Sequence, residues 1–405
     1  MFYKNQLPKH LYSLDIVRGL AALVVVLWHW QHLLYVGGVS SAYRMEDQPF
    51  YSALSIFYHD GWRAVDFFFS LSGFVFFWLY AESVAGKRIS GFSFFVMRFS
   101  RLYPLHAATF LFVLIAQFFI QSRFGSFFVY ENNGLYQAIL SLFMATSWVA
   151  AHGYSFNGPI WSVSVEVILY IVFFAVCLIF KRRYFLSAIC AVIGLLVNEV
   201  DAEIGRGLFS FFIGAIAFLA YSKIAECRFE KILTCIVTVI TVFLWVGVAI
   251  EYRCSFFSVA LSEILSQVVP ASFQTRIPGI IYRVYQVVLG GFVFPCSIIA
   301  LALLETWVGG IGKKLSFIGN LSYSSYLLHF PLQILFFVIS VCLGIDPEFF
   351  YSGYSILLFF SILVPVCLAS YHYFEVPMQR FIRGRLSPKR VELCAGESRQ
   401  DVVTR

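Results

Sequence analysis

Apolar runs of the length needed to cross about 30 Å of hydrocarbon recur from one end to the other of this 405-residue chain. With 60% hydrophobic and only 13% charged residues, it has too little polar surface to cover a soluble globule. The chain reads as an all-α, polytopic helical bundle embedded in a lipid bilayer. Spans are expected near 14–36, 62–80, 102–121, 161–180, 184–200, 207–221, 232–250, 284–304, 321–343 and 354–374, about ten in all. The apolar stretch 135–150 would, as an eleventh crossing, send Lys181, Arg182 and Arg183 to the outer face, so a re-entrant or surface-lying helix is expected there. Residues 1–380 form one membrane domain in this reading, and 381–405 a basic, disordered tail. No internal repeat is visible.

The net charge of +7 is explained by where the basic residues stand. Of 29 Lys and Arg, 22 fall on the segments that these spans place in the cytoplasm, together with both termini. That is the positive-inside bias, and it accounts for the charge without a nucleic-acid partner. The first apolar segment follows Lys4 and Lys9 like a secretory signal, but it is long, charged and without a small-residue cleavage site, so it is expected to be retained. Nine cysteines form no CxxC pair and read as reduced packing residues. No metal-ligand pattern stands out.

Ionisable side chains inside spans are costly and mark function. In RGLAALVVVLWHW, residues 18–30, Arg18 and His29 are eleven positions apart. Eleven steps of 100° close almost three turns, so both lie on one helix face roughly 16 Å apart. Asp15 shares that face. Arg18 sits at the cytoplasmic entrance and His29 in the outer half. Snorkelling of Arg18 to lipid phosphate, with Asp15 as its partner, is the plain alternative.

Other spans carry comparable signals. Arg98 and Arg101, in VMRFSRLYP, project from one side before the third span and suit phosphate; Pro104 reads as part of that helix's first turn. DFFFSLSGFV opens the second span with Asp66, which needs a buried partner or water, and with small residues for close helix contact. In NGPIWSVSVEVILY, Ser162, Glu166 and Tyr170 form one stripe, and Glu166 is suited to orient a base or exchange a proton. His152, in the loop before it, reads as solvated. GNLSYSSYLLHFPL brings Tyr326 and His329 to one face, with Pro331 freeing a carbonyl. YHYFEVPMQRF reads as a helix stop in which Glu375 and Arg380 form an inner-surface ion pair. Walker, HExxH and GxSxG motifs are absent.

In their order, Arg18 with His29, FFFSLSGF, RFSRLYP, WSVSVE and SYSSYLLHFP resemble the acyltransferase-3 family over about residues 10–380. The resemblance implies a membrane O-acyltransferase in the bacterial inner membrane. Its co-substrate would be a cytoplasmic acyl-CoA, usually acetyl-CoA, with no permanently bound cofactor, and its acceptor a carbohydrate hydroxyl across the membrane. It implies donor binding by Arg18, Arg98 and Arg101 and catalysis by His29, as general base or as acyl carrier. Trp161 and Glu166 match the family's later signature. Met97 stands where many members carry arginine. Glu166 or Asp66 would orient His29, while Asp15, Ser162, Tyr326 and His329 would line the substrate path. The rival reading is a proton-coupled secondary transporter that uses Asp66, Glu166, His29 and His329 as a relay.

Overall fold

The computed structural model describes residues 7–34, 44–149, 153–179 and 183–386. Among these the secondary structure is helical throughout. In chain order, α1 (Tyr12–Trp28) tightens into a 3₁₀ segment (His29–Leu34), and a short helix (Tyr51–Asp60) leads to α2 (Ala64–Leu79). Then come α3 (Gly91–Phe124), α4 (Leu135–Leu142), α5 (Trp161–Ile179), α6 (Arg183–Val197), α7 (Ala202–Ala225) and α8 (Glu230–Cys254). Next are α9 (Phe256–Val268), α10 (Ile277–Val288), a π turn (Leu289–Val293), α11 (Phe294–Val308) and α12 (Phe317–Leu343). Last, α13 (Gly353–Ala369) passes through a second π turn (Ser370–Glu375) into α14 (Val376–Leu386).

Nine helical stretches among the described residues are long and apolar enough to cross a membrane. The remaining span expected from sequence, 184–200, is α6, whose 15 residues rise about 22 Å. The segment expected to be re-entrant or surface-lying contains only the eight-residue α4, with Leu135, Tyr136, Ile139 and Leu142 exposed. Residues 251–283, between the expected spans 232–250 and 284–304, are mostly helical, as α9 and the start of α10. Exposed Ile236, Val239, Val242 and Phe243 on α8 give it the apolar exterior of a lipid-facing helix.

Three sequence expectations change. Pro104 lies well inside α3, because Ser90 caps that helix much earlier by accepting a hydrogen bond from the Ser93 N–H at 3.1 Å. Glu375 is buried rather than paired at the surface: it accepts from Ser324 and from Ser370 (3.2 Å), and the chain stays helical beyond it. The helix therefore continues to Leu386 rather than stopping, and Arg383 donates to Ser100 Oγ (3.0 Å) and the Met97 carbonyl (3.3 Å). Residues 387–405, most of the expected tail, lie outside the described residues, as does His152.

The chain divides into two compact units. One contains described residues 7–14, 66–81 and 183–313. Its centre is the contact of α2 with α7: a Cβ at Gly73 would run into the Phe211 carbonyl, and one at Gly214 into that of Ser70. Such glycines let helix backbones approach in a membrane, where lipid tails compete equally for apolar side chains. Buried Phe74 meets Phe218 edge to face at 5.5 Å. Glu305 accepts from the Tyr12 N–H (2.9 Å), the Ser13 N–H (2.8 Å) and Ser13 Oγ (2.7 Å), satisfying orphan donors at the start of α1.

The second unit contains described residues 15–34, 44–65, 82–149, 153–179 and 314–386. Trp30, Phe110, Phe128, Phe156, Phe330 and Phe359 form its core, and Trp30 Nε1 donates to the Phe350 carbonyl at 2.9 Å. Outside the spans, Arg44 bridges Asp47 (2.8 Å) and Glu348 (3.0 Å), whose charges raise its pKa. Within this unit α1 and α12 are almost in backbone contact: a Cβ at Gly19 would strike the Ile318 carbonyl, and one at Gly319 would lie 2.7 Å from Asp15 Cβ.

Gly73→Val should lower the melting temperature of the detergent-solubilised protein by an amount equivalent to about 1–3 kcal/mol, the range for overpacking a tight core. Gly384→Val, where a Cβ meets nothing within 4 Å, is the control and should leave it unchanged.

Candidate functional site

Most of the ionisable residues named from the sequence lie in the second unit, in two groups. The first surrounds Arg18. Arg18 Nη2 pairs with Asp15 at 3.0 Å and donates to the Gly319 carbonyl at 3.2 Å, while Nε donates to Ser322 Oγ at 3.2 Å. The short side chains at Gly319 and Ser322 leave the guanidinium room to lie against α12. Arg101, Glu166 and Tyr371 are within electrostatic range of Arg18. Arg98 lies over the rings of Phe94 (6.0 Å) and Tyr170 (5.9 Å), and the Tyr170 hydroxyl donates to Glu166. Tyr323, whose hydroxyl donates to the Leu102 carbonyl, faces Glu375, Glu166 and Arg101.

All three arginines named from the sequence thus share one site, with Asp15 and Glu166 as counter-charges. Glu166 is found here, bonded by Tyr170 and within electrostatic range of Arg18. Fixed guanidinium forks of this kind suit the oxygens of phosphate better than single ammonium groups do.

The second group contains His29. At Trp28 the α-helix gives way to the 3₁₀ segment, in which three residues complete a turn, so His29 and His32 lie one above the other. Their ring centroids are 4.8 Å apart. On the other side, His29 stacks on His329 of α12, also at 4.8 Å and with 27° between the planes. Gln333 joins the two helices: its Nε2 donates to the His29 carbonyl at 2.9 Å, and its Oε1 lies 3.3 Å from His32 Nδ1. The Tyr130 hydroxyl is 3.4 Å from His32 Nε2.

His329 has a defined tautomer. Its Nδ1 lies 2.9 Å from the Ser325 carbonyl, which can only accept, so Nδ1 carries the proton and Nε2 offers a lone pair. That Nε2 is buried without a hydrogen-bond partner among the described residues, as are His29 Nδ1 and Asn157 Oδ1. Asn157 Nδ2 donates to the Leu327 carbonyl at 3.3 Å, the group left open because Pro331 has no N–H. Nearby, Tyr326 donates to the Pro159 carbonyl at 2.6 Å and accepts from Ser162 Oγ at 2.6 Å. Buried polar atoms are normally satisfied, so three open ones invite a ligand.

The remaining sequence candidates, Trp161 and Asp66, make the following contacts. Trp161 accepts at its carbonyl from Ser147 Oγ at 3.2 Å, anchoring the preceding segment to α5. Asp66 belongs to the first unit, where Arg206 Nη2 and Nε hold its carboxylate at 2.9 and 3.0 Å. There it lines a cavity of about 210 Å³ with Asn198, Glu199 and Arg283. Among the described residues no group of three or more His, Cys, Asp or Glu is arranged to hold a metal ion.

Sequence reasoning overlooked His32, Gln333, Tyr130 and Asn157. His32 was visible in WHWQHLL, three positions after His29 and so on nearly the same helix face, but nothing in the sequence says that its partners would be Gln333 and Tyr130. Gln333 looks like an ordinary polar residue until α1 is placed beside it.

The fold, with nine long apolar helical stretches among the described residues, defines an integral membrane protein. The chain belongs to the acyltransferase-3 family: the family model, described as an acyltransferase domain, matches residues 11–371. It is therefore a membrane acyltransferase. No curated protein and no solved structure gives a significant match.

Asp66→Ala should destabilise the protein by about 3–5 kcal/mol, since it leaves Arg206 charged and largely buried. The double variant Asp66→Leu, Arg206→Met should recover most of that loss in a thermal-shift measurement. A double variant no more stable than the single would show that the carboxylate serves something other than Arg206.

Proposed function

We propose that the protein moves an acyl group, most simply acetyl, from cytoplasmic acyl-CoA to a hydroxyl of a surface or lipid-linked carbohydrate. In this reading it resides in the bacterial inner membrane with both termini in the cytoplasm. The observation that carries the proposal is the stack of His29 on His329, with buried acceptors at His329 Nε2 and at Asn157 Oδ1, whose residue is bonded to the same helix. His329 Nε2 and Asn157 Oδ1 both accept, so a molecule bound against them would donate, as a hydroxyl-rich acceptor does.

The donor end is supported by the arginines. Arg18, Arg98 and Arg101 would take the phosphates of CoA, with Asp15 and Glu166 holding them ready. Along α1 the path from Arg18 to His29 is roughly 16 Å. An extended pantetheine arm covers that distance and brings the thioester to the histidines.

Transfer then needs one proton carrier. His29 takes the proton of the acceptor hydroxyl as its oxygen bonds to the thioester carbonyl carbon. When the tetrahedral intermediate collapses, the carbon–sulfur bond breaks, and the imidazolium returns the proton to the departing thiolate. His29 ends neutral, and the products are an O-acyl ester and free CoA. His329, fixed through Nδ1, accepts a hydrogen bond from the acceptor at Nε2 and aligns it.

The test uses membrane vesicles from the producing cells, supplied with acetyl-CoA labelled in the acetyl group. Label should appear in glycan, and mass spectrometry of surface glycans should lose an acetyl increment when the gene is deleted. His29→Ala should reduce transfer about 10²–10⁴-fold, the usual contribution of a positioned general base. Arg101→Gln should chiefly raise KM for acetyl-CoA. Solute uptake without thioester cleavage would instead establish a transporter.

A further inference from the structure

Gln333 and His32 have no role in the transfer just described, yet both are buried; His32 shares the 3₁₀ segment of His29, and Gln333 is bonded to that segment at both residues. Gln333 is fully enclosed, with 0% of its surface accessible, and uses the two ends of its amide for different partners. The His29 carbonyl requires a donor, so Nε2 faces it; Oε1 therefore faces His32 Nδ1, which must carry the proton. This leaves His32 Nε2 as an acceptor for the Tyr130 hydroxyl. One amide orientation thus sets the proton positions along a chain from His29 through Gln333 and His32 to Tyr130.

The His29 carbonyl lies where α winding changes to 3₁₀ winding, so its bond from Gln333 ties that junction to α12. The same helix carries His329, four residues before Gln333 and therefore on the same face. Gln333 consequently fixes the spacing of the two stacked rings by holding the backbone of one to the helix of the other. His32 is the other half of this brace, because its Nδ1–H stops the amide from turning over.

We infer that Gln333 and His32 are positioning residues: they hold His29 against His329 and keep the ring of His32 out of proton transfer by committing both its nitrogens. His32 is thus a buried histidine beside the reaction that does no acid–base chemistry. Only one of three rings packed 4.8 Å apart can conveniently become charged, and this arrangement selects which.

The inference rests on the acyl-transfer reading, and the same labelled acetyl-CoA assay in membrane vesicles separates the two. Gln333→Leu should lower kcat about 10–100-fold, the scale of a small misplacement of reacting groups, while KM for acetyl-CoA stays unchanged. His32→Leu should do the same. His32→Asn, whose side-chain amide can place an N–H where Nδ1–H stood, should keep most of the activity although it cannot act as a base. The double variant Gln333→Leu, His32→Leu should be no worse than either single, as expected of residues acting as a unit.

Wild-type kcat in Gln333→Leu would overturn the inference, and so would His32→Asn as inactive as His32→Leu, because the imidazole itself would then be needed. Wild-type vesicles that leave the label on CoA would sink the donor assignment and this inference with it. Unchanged KM for acetyl-CoA in the variants also separates a displaced histidine from a misfolded protein, since misfolding would disturb the arginine site as well.

Discussion

The near contact of α1 with α12 organises the second unit. Gly19 lies against the Ile318 carbonyl and Gly319 against Asp15, so neither position has space for a side chain. Because the helices meet so closely at one end, Arg18 can donate directly to the backbone and to Ser322 of α12. Further along the same pair, His29 stacks on His329 and Gln333 reaches the His29 carbonyl. A bulkier residue at the crossing would separate every one of these pairs together. The close packing of small residues is thus what aligns the polar groups, and the polar groups add interhelical hydrogen bonds that hydrocarbon cannot replace.

The two polar groups differ in how completely they are satisfied. Around Arg18, charges of opposite sign sit together: Asp15 pairs with Arg18, and Glu166 is bound by Tyr170 within range of Arg101. Around His29 the atoms are neutral and several stay open. Paired charges can be kept in a low-dielectric interior, whereas open acceptors there are costly unless a ligand fills them. The first arrangement is a paired set of charges, and the second a set of buried polar atoms still able to bond.

Much of this was readable in the chain. Long apolar runs specify helices, and ionisable residues within them are rare enough to stand out, so Arg18, His29, Arg98, Arg101, Glu166 and His329 could all be named. Their partners could not. Asp66 and Glu166 looked alike in sequence, each a lone carboxyl in a span, yet one binds Arg206 and the other Tyr170; the difference depends on which helix lies opposite. Pro104 and Glu375 were misread because local rules assign prolines to helix starts and acids to surfaces, while Ser90 and Ser324 override them here. The spacing of three already puts His32 on the face of His29; the change to 3₁₀ winding only brings one side chain more directly over the other.

The bond from Asn157 to the Leu327 carbonyl has a mechanical consequence. Pro331 leaves that carbonyl without its usual helical donor, and the amide at 157 supplies the substitute from a segment that is not itself a long helix. Detaching it would expose an unmatched carbonyl in a dry interior, at about 2–7 kcal/mol. The stretch leading into Trp161 is therefore fastened to the interrupted turn of α12, and Tyr326 adds a second fastening at Pro159. Bending of α12 at its proline would carry this stretch along with it, so the wall beside the histidines would move as one piece with the helix that bears His329.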